Sequence, residues 1–466
     1  MTLRSLSASR GHARKRLCAA VAAAAVIASG STSALTFSQA LEAARAHDPT
    51  YRVAGHELDA TQLNVPIARA SLLPLVTLNA SDAKVVGSRR FPNAQNQEVR
   101  TPLDYESPQT SLGMRVPLFN FEALSAYKQA QAQSEVAESV FRSQGMDLME
   151  RLATAYLQVL LADDGRRLAA AQVTVFESQA AQAEQRQQRG EGTRVQATQA
   201  RATLDVARTR LLETIDQVDL ARVRLERLTG LANVQPSSLP ALVKAEPLLP
   251  DRLGDWIDMA VRQSPLLEAR ERNREVARQA VRRQTAGHLP RLDLVASLAR
   301  NQNDSTNAIG QSTALRSVGV QLSVPIFSGG GVDAGVRQAL SRQALADEEL
   351  RAERDLLEVD VQRHYLATVS GEKRIEAYQQ ATESTALAAL GARRALETGL
   401  GTIAELADAQ SLNFTAARDL AQARIDALLS RVRLMMRAGV PTYEIATEVD
   451  RLMLATPRAS TTTGQR

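Results

Sequence analysis

The side chains that most often perform chemistry are few and scattered in this chain of 466 residues. Metal sites combine histidine, cysteine or carboxylate ligands at short, regular spacings. The only cysteine is Cys18, and no such spacing relates the histidines that follow the N-terminal segment, which are His47, His56, His288 and His364. The adjacent Asp163 and Asp164 lie in a long helical pattern, which is more typical of a solvated helix face than of a catalytic pair. We therefore expect no metal site.

Two glycine-rich stretches match nucleotide-binding motifs only in part. The stretch from Gly399 to Ala404 has the glycine spacing of a dinucleotide fingerprint, but a helical pattern precedes it where that motif needs a strand. The glycines Gly329–Gly331 do follow a strand pattern, yet the lysine of a phosphate-binding loop does not come next. The sequence therefore predicts no enzyme and no cofactor.

A junction between a strand and a long helix occurs twice in the chain. Apolar and polar or small residues alternate from Ser317 to Val324, which is typical of a strand with one apolar and one polar face. Pro325 ends this strand pattern because proline has no N–H to donate. The same alternation precedes Pro117, where Leu112, Met114 and Val116 form the apolar set. Two copies of one junction predict a duplicated chain.

The order of patterns predicts the domain organisation. Helical patterns with breaks at Asp48–Pro49, near Pro66 and at Ser264–Pro265 precede the two β-hairpins, whose polar stretches at 88–106 and 301–312 we interpret as loops. Corresponding prolines and threonines of the two halves lie roughly 210 residues apart. The predicted units are a first repeat at 35–229 with its hairpin at about 74–119, a connector at 230–250, a second repeat at 251–440 with its hairpin at about 290–327, and a polar C-terminal tail at 441–466.

Helix lengths predict the overall architecture, which is mainly α with a small β part. In each half, two shorter helices of about 37 residues flank one of about 70, so the short pair laid end to end matches the long helix at roughly 105 Å. The short helices then form a broken partner, antiparallel to the long helix in a coiled coil. The glycine breaks at 190–192 and 399–401 become hairpin tips at one end, and the β-hairpins lie at the other.

The N-terminal segment predicts export. Basic residues precede an apolar run from Leu17 to Ala28, and small residues up to Ala34 follow, as in a cleavable signal peptide spanning residues 1–34. A retained inner-membrane anchor is the less favoured interpretation. The formal net charge of +5 falls to about zero without the five basic residues of this segment, so nucleic acid is not an expected partner.

The predicted strands have the length that a tilted strand needs to cross a bilayer, about 10 residues. In lipid, a sheet must close into a barrel to satisfy its edges, and known barrels have at least about eight strands. Four strands in each chain therefore require a barrel shared between chains. Two chains would give a filled interior and three an aqueous pore, and we favour the trimer.

Three stretches resemble one known family. They are Gly287–Ser297 around the second hairpin, Val324–Gly330 at its end, and Gly399–Thr402 with the following Glu405 and Asp408. In this register, and within a duplicated helix–hairpin–helix frame, they are similar to the TolC-type outer-membrane efflux and secretion channels. The similarity covers nearly the whole chain after residue 34. Within the family it is greatest to components of toxin-exporting type I systems.

The resemblance implies a homotrimer with a twelve-stranded barrel in outer-membrane lipid, continued by a periplasmic helical tunnel. It also implies a periplasmic adaptor protein and an inner-membrane transporter, of ABC type for a secretion system, as partners. Glu405 and Asp408 match acidic positions of the periplasmic pore constriction, although both can equally be acids that stabilise a helix start. The implied adaptor-contacting tips, which could equally be simple helix ends, are Gly190, Gly192, Thr193, Gly399, Leu400, Gly401 and Thr402.

Three aromatic residues beside the strand ends, Phe119, Phe121 and Phe327, are candidates for anchoring at the membrane interface, with packing beneath the barrel as the alternative. The predicted function is a passive exit duct of a type I secretion system for an exported protein such as a repeat toxin. A drug-efflux channel and a periplasmic coiled-coil scaffold without a pore are the alternatives.

Overall fold

The computed structural model describes residues 35–236, 248–305 and 308–454. The first half contains three helices, a hairpin region and two long helices: α1 (Phe37–His47), α2 (Pro49–Gln62), α3 (Asn64–Ala70), β1 (Leu75–Ser81), β2 (Lys84–Pro92), β3 (Glu98–Glu106), β4 (Gln109–Phe119), α4 (Phe121–Gln188) and α5 (Arg194–Thr229). The predicted signal peptide lies outside the described residues.

The second half repeats this order. Its elements are α6 (Leu253–Gln263), α7 (Pro265–Thr285), a short 3-10 helix (Ala286–His288), β5 (Arg291–Ser305), β6 (Ala308–Ser323), α8 (Gly331–Glu397), α9 (Ile403–Arg437) and a last helix α10 (Thr442–Leu454). The predicted fold class, mainly helical with a small β part in two helix–hairpin–helix halves, is confirmed. Among the described residues, no helix is both long and apolar enough to cross a membrane.

Proline and a capping side chain set the helix break in each half. Asp48 accepts a hydrogen bond from the Tyr51 amide, Ser264 accepts one from the Leu267 amide, and each precedes a proline at the first helical position. The break expected near Pro66 lies instead at Leu63, because Pro66 falls in the first turn of α3, where a helix does not use the amide N–H.

The long helices organise the helical body. Helix α4, of 68 residues, packs along α5, α7, α2 and α3, while α8, of 67 residues, packs along α9, α7 and α6. Helix α7 thus contacts the long helix of both halves. Each long helix is about 100 Å from end to end at 1.5 Å per residue. The observed arrangement is the expected one, in which two shorter helices pack lengthwise against one long helix.

The four-stranded sheet has the order β1-β4-β5-β6, with antiparallel pairing throughout. Its register places Val76, Met114, Ala296 and Val318 side by side across the sheet. The next rows on the same face are also apolar, for example Leu294 opposite Val320. From Leu292 to Leu298 along β5, one face of the sheet is therefore mainly apolar, and the other carries polar and small residues such as Thr77, Gly113, Ser297 and Ser317.

The prediction of a loop at 88–106 is wrong. Strands β2 and β3 pair along their full length, from Lys84 opposite Glu106 to Pro92 opposite Glu98, as a separate two-stranded ladder. The Asn93 carboxamide closes its turn by accepting hydrogen bonds from the Gln95 and Gln97 amides. The predicted loop at 301–312 is also largely strand, since β5 extends to Ser305 and β6 begins at Ala308. The polar residues there hid strands of 15 and 16 residues.

The largest hydrophobic cluster lies midway along α4. Tyr156 is fully buried, its ring meets Phe37 edge-on at 5.4 Å between centroids, and its hydroxyl donates to the Leu35 carbonyl oxygen at 2.6 Å. Helix α10 completes this core with Ile445 and Val449, both buried. The prediction of a polar tail at 441–466 is therefore wrong for residues 442–454. Burial of each such side chain contributes about 1.5–3 kcal/mol to stability, which holds this helix against the core. Residues 455–466 lie outside the described part.

The aspartates at 163 and 164 do not form a solvated face. Asp163 binds Arg166 and Arg167 of its own helix at 3.0 and 2.7 Å, and these partners outweigh its burial and hold the pKa of its carboxyl below the usual value. Asp164 is half-buried, and burial raises its pKa. Both sites are structural ion clusters, so the prediction that they are not a catalytic pair fits the geometry.

Candidate functional site at the helical tips

The two hairpin tips, residues 189–193 and 398–402, have the same backbone. Gly190 and Gly399 have φ angles of +76° and +79°, which glycine adopts without strain. At each tip the amide after this glycine bonds back to the preceding helix. The Glu191 N–H donates to the Arg186 carbonyl oxygen and the Leu400 N–H to the Ala395 carbonyl oxygen, both at 2.9 Å. This pattern is a Schellman-type helix end.

The second glycine of each tip allows close approach to the helix that has just ended. A Cβ added to Gly401 would lie 3.0 Å from the Ala395 Cβ and 3.1 Å from the Leu396 nitrogen. At Gly192 the corresponding contacts are with the Arg186 Cβ at 3.2 Å and the Gln187 nitrogen at 3.3 Å. Both tips therefore need glycine for its size.

A threonine begins the returning helix at both tips. Thr193 and Gln196 form a capping box, in which each side chain accepts a hydrogen bond from the other residue's amide, at 3.2 and 3.0 Å. Thr402 and Glu405 form the same box at 3.2 and 2.9 Å. The carboxylate of Glu405 is thus engaged in helix capping.

The second tip presents both a buried and an exposed apolar residue. Ile403 is buried and joins the cluster that contains Phe176 and Ala183 of α4, so the tips of the two halves are packed together. Leu400, by contrast, is 88% exposed. Nearby, the Gln179 amide donates to the Gln410 side-chain oxygen at 2.5 Å and links α4 to α9.

Glu405 and Asp408 are both exposed and lie one turn apart at the start of α9. The Asp408 carboxylate forms no hydrogen bond or ion pair with another described residue, whereas that of Glu405 caps the helix. The corresponding positions of the first tip, counted from the capping threonine, are Gln196 and Gln199. The acidic pair therefore belongs to the second tip alone, an asymmetry that the duplicated pattern alone did not reveal.

A groove of ≈ 470 Å³ lies between α4, α5 and α9, above the tips. Its floor includes Leu168, Phe176 and Phe414, and arginines border it, namely Arg210, Arg224 and Arg418. No signal in the sequence marks this groove, because helices from both halves of the chain form it. Its apolar floor and basic rim match an amphipathic helix with acidic residues.

The three aromatic residues lie at the end of the sheet that meets the helices. Phe119 ends β4, Phe121 begins α4, and Phe327 follows β6. Their exposed fractions are 61%, 44% and 87%, so none packs into a core within one chain. Anchoring at the membrane interface remains a prediction.

The chain matches the family model described as outer membrane efflux protein over residues 40–231 and 256–440. It is 32% identical to the alkaline protease secretion protein AprF of Pseudomonas aeruginosa, covering 84% of this chain and 82% of that protein. It is 30% identical to the proteases secretion protein PrtF of Dickeya chrysanthemi, covering 89% and 90%. The solved outer-membrane channel OprN superposes with a TM-score of 0.74 at 22% identity, over 87% of this chain and 90% of that one.

The family consists of channel proteins, not enzymes. Its members are trimeric channels of the Gram-negative outer membrane that work with adaptor and inner-membrane transporter proteins, and they extend a long helical tunnel into the periplasm. This chain belongs to the outer membrane efflux protein family, the TolC-type channels.

Proposed function

We propose that this channel is the passive exit duct of a type I secretion system for an exported protein. A periplasmic adaptor and an inner-membrane transporter of ABC type would engage its tips and supply the energy. The relatives that share 30% or more identity are named for protease secretion, which supports a protein cargo. A repeat toxin, the cargo that we expected, remains within this class.

The observation that carries the proposal is the exposed apolar side chain at the second tip. Leu400 is an exposed apolar side chain held on a rigid turn, and the glycines and threonines around it fix the backbone that a partner would contact. Exposed apolar groups on rigid turns suit protein contacts better than solvent. The groove above the tips, with its apolar floor, offers an adaptor helix a second contact.

We place the pore constriction at Asp408 and Glu405. In a trimer, three copies of each would stand around one axis, and closely spaced carboxylates attract cations. Asp408 carries more of this role, because its carboxylate has no partner among the described residues while that of Glu405 caps α9. The constriction would therefore favour cations.

The apolar face of the sheet and its neighbouring aromatics would contact lipid. Val318, Val320 and Leu322 are more than half exposed in the single chain, as lipid-facing residues of a barrel wall must be. Phe119 and Phe121 would then mark the periplasmic interface.

The description of the family model, outer membrane efflux protein, supports the alternative of a drug-efflux channel. Function in this fold depends on the proteins that dock, so the test must use the native partners. We would delete the gene in its own organism, then compare the proteins in the culture medium and the susceptibility to drugs. The proposal expects one or a few secreted proteins to disappear while susceptibility stays unchanged.

A matched pair of variants in the same strain tests the tips. Leu400→Asp should abolish secretion by placing a charge in the proposed adaptor contact. Leu387→Asp, at an exposed leucine of the preceding helix α8, should leave secretion intact. An unchanged secretome with increased drug susceptibility in the deletion strain would instead establish the efflux alternative.

A further inference from the structure

The outward end of the apolar sheet face carries two arginines. Arg300 of β5 lies opposite Ala314, and Arg316 of β6 lies opposite Leu298, so the two arginines are diagonal neighbours on one face. Diagonal neighbours across an antiparallel pair are roughly 7–8 Å apart, within reach of two long side chains that converge on one group. Both arginines are exposed, and neither has a carboxylate within 4.0 Å among the described residues.

These arginines belong to the apolar face and not to the polar one. The register continues from Arg316 through Leu298 to Leu112 and Leu78, and from Arg300 to Thr110. Arg115, by contrast, pairs with Val295 on the polar face, where its Nε lies 4.0 Å from Asp293. An unpaired arginine pair at the edge of an apolar surface can bind an anionic partner from outside the chain.

The arginines lie toward the outer end of the apolar band. Along β5, the apolar row runs from Leu292 at the helix end to Leu298, about 20 Å along the strand at 3.4 Å per residue. A strand tilted by about 40° rises only about 15 Å over that length, against about 25 Å for the apolar band of such barrels. Because the helices extend into the periplasm, this end of the sheet faces the cell exterior. Arg300 and Arg316 therefore lie on the outer-leaflet side of the band, from which long arginine side chains reach the headgroups.

A shallow concavity of ≈ 280 Å³ joins the two arginines to the apolar face. Its lining combines Thr110, Leu112, Leu298 and Ala314 of the apolar face with Arg300 and Arg316, and the neighbouring Ala299 and Leu315 of the same two strands complete it. It therefore offers an acyl chain an apolar contact directly beside two guanidinium groups. A guanidinium group binds phosphate through two parallel hydrogen bonds, which give both affinity and orientation.

We propose that Arg300 and Arg316 bind a phosphate of the outer-leaflet glycolipid, lipopolysaccharide, with one of its acyl chains resting on Leu112 and Leu298. The site would fix the channel's height and rotation in the outer leaflet. The inference rests on the outer-membrane location and on the proposed lipid contact of the apolar face. It does not depend on the exported cargo, so secretion assays and lipid assays can fail independently.

The first experiment measures lipopolysaccharide that remains bound to the purified trimer in mild detergent, by native mass spectrometry. Arg300→Gln with Arg316→Gln should weaken binding about a hundredfold and reduce the bound amount accordingly, since each of the two lost charge-assisted hydrogen bonds weakens binding about tenfold. Arg300→Lys with Arg316→Lys should retain an intermediate amount, because lysine keeps the charge but not the two parallel hydrogen bonds of a guanidinium group. Arg115→Gln, which removes an arginine from the opposite face of the same sheet, is the matched control and should bind as the wild type does.

A second experiment needs no variant. Lipid A and its deacylated, phosphate-bearing sugar backbone compete with labelled lipopolysaccharide on the wild-type trimer, with inorganic phosphate as a third competitor. The proposal expects the intact lipid to compete at concentrations at least about tenfold lower than either of the others, because only it also contacts the leucines. Equal competition by the three, or equal retention by the glutamine double variant and Arg115→Gln, would overturn the proposal.

Discussion

The two helical tips share one backbone but differ in chemistry. Both have a first glycine with positive φ, a second glycine packed on the preceding helix and a threonine capping box. Between the glycines, however, the first tip has Glu191 where the second has the exposed Leu400. After the cap, the first tip has neutral glutamines where the second has Glu405 and Asp408.

This difference separates what the fold requires from what the function uses. The shared residues are those that a reversal between two antiparallel helices needs, so they carry no information about partners. The differing residues named above are exposed, while Ile403 anchors the second tip in the hydrophobic cluster of the first half. The duplicated chain thus keeps the turn and varies the surface, which places both the proposed adaptor contact and the proposed constriction at the second tip.

The largest effect that tests the shared geometry comes from filling the second glycine. Gly401→Val should destabilise its tip by about 2–3 kcal/mol, because the added Cβ meets the Ala395 Cβ and the Leu396 nitrogen. Gly192→Val should cost about 1–2 kcal/mol, since its closest contacts are 0.2 Å longer and one is with an arginine stem. Amide hydrogen exchange in the two tips of the assembled trimer measures both values. Equal and negligible losses would mean that close packing does not define the tips.

A smaller effect is expected at the first glycines. Gly190→Ala and Gly399→Ala should each cost about 1 kcal/mol, because alanine is strained in the left-handed region while it also stiffens the unfolded chain. Their φ angles are nearly equal, so the two losses should agree. The same exchange measurement applies, with Gly391→Ala in α8 as a control that should stabilise its helix. A clear difference between the two tips would break the claim of a common backbone.

The smallest effect sharpens the distinction between capping and charge. Glu405→Gln should change local stability by only about 0.3 kcal/mol, the low end of a helix-dipole contribution, because Gln196 forms the same capping box in the first tip. Glu405→Ala should cost more, since it removes the hydrogen bond to the Thr402 amide. If the glutamine variant were as unstable as the alanine variant, the two boxes would not be equivalent.

The regular parts of the fold could be predicted because each local signal agrees with the architecture. Long helical periodicity, Gly-x-Gly-Thr breaks and alternating strands predict α4, α8, the tips and the hairpin pairs β1–β4 and β5–β6. Strands β2 and β3 were missed because Pro92, Pro102 and Asn93 indicate a loop, and a two-stranded ladder tolerates proline at its open edges. The alternation of Val99, Leu103 and Tyr105 was the available signal.

Helix α10 was missed for a different reason. Ile445, Val449 and Leu452 have helical spacing, but the Ser/Thr-rich residues that follow dominate the composition of the C-terminal segment. The groove between α4, α5 and α9 depends on contacts between the two halves, and the pairing of Arg300 with Arg316 depends on the register of β5 and β6. Such contacts follow from register and packing, so no local pattern reveals them.

Ion selectivity of the purified trimer in planar bilayers is the measurement that tests the central claim most directly. Replacing Glu405 and Asp408 together by glutamine gives the second tip the neutral chemistry of the first. Glu191→Gln, which removes an exposed acid from the first tip, is the matched control. The account predicts that the double variant assembles, loses most of its cation selectivity and is no longer blocked by trivalent cations, while the control behaves as the wild type does. Unchanged selectivity and block in the double variant would contradict a constriction at the second tip.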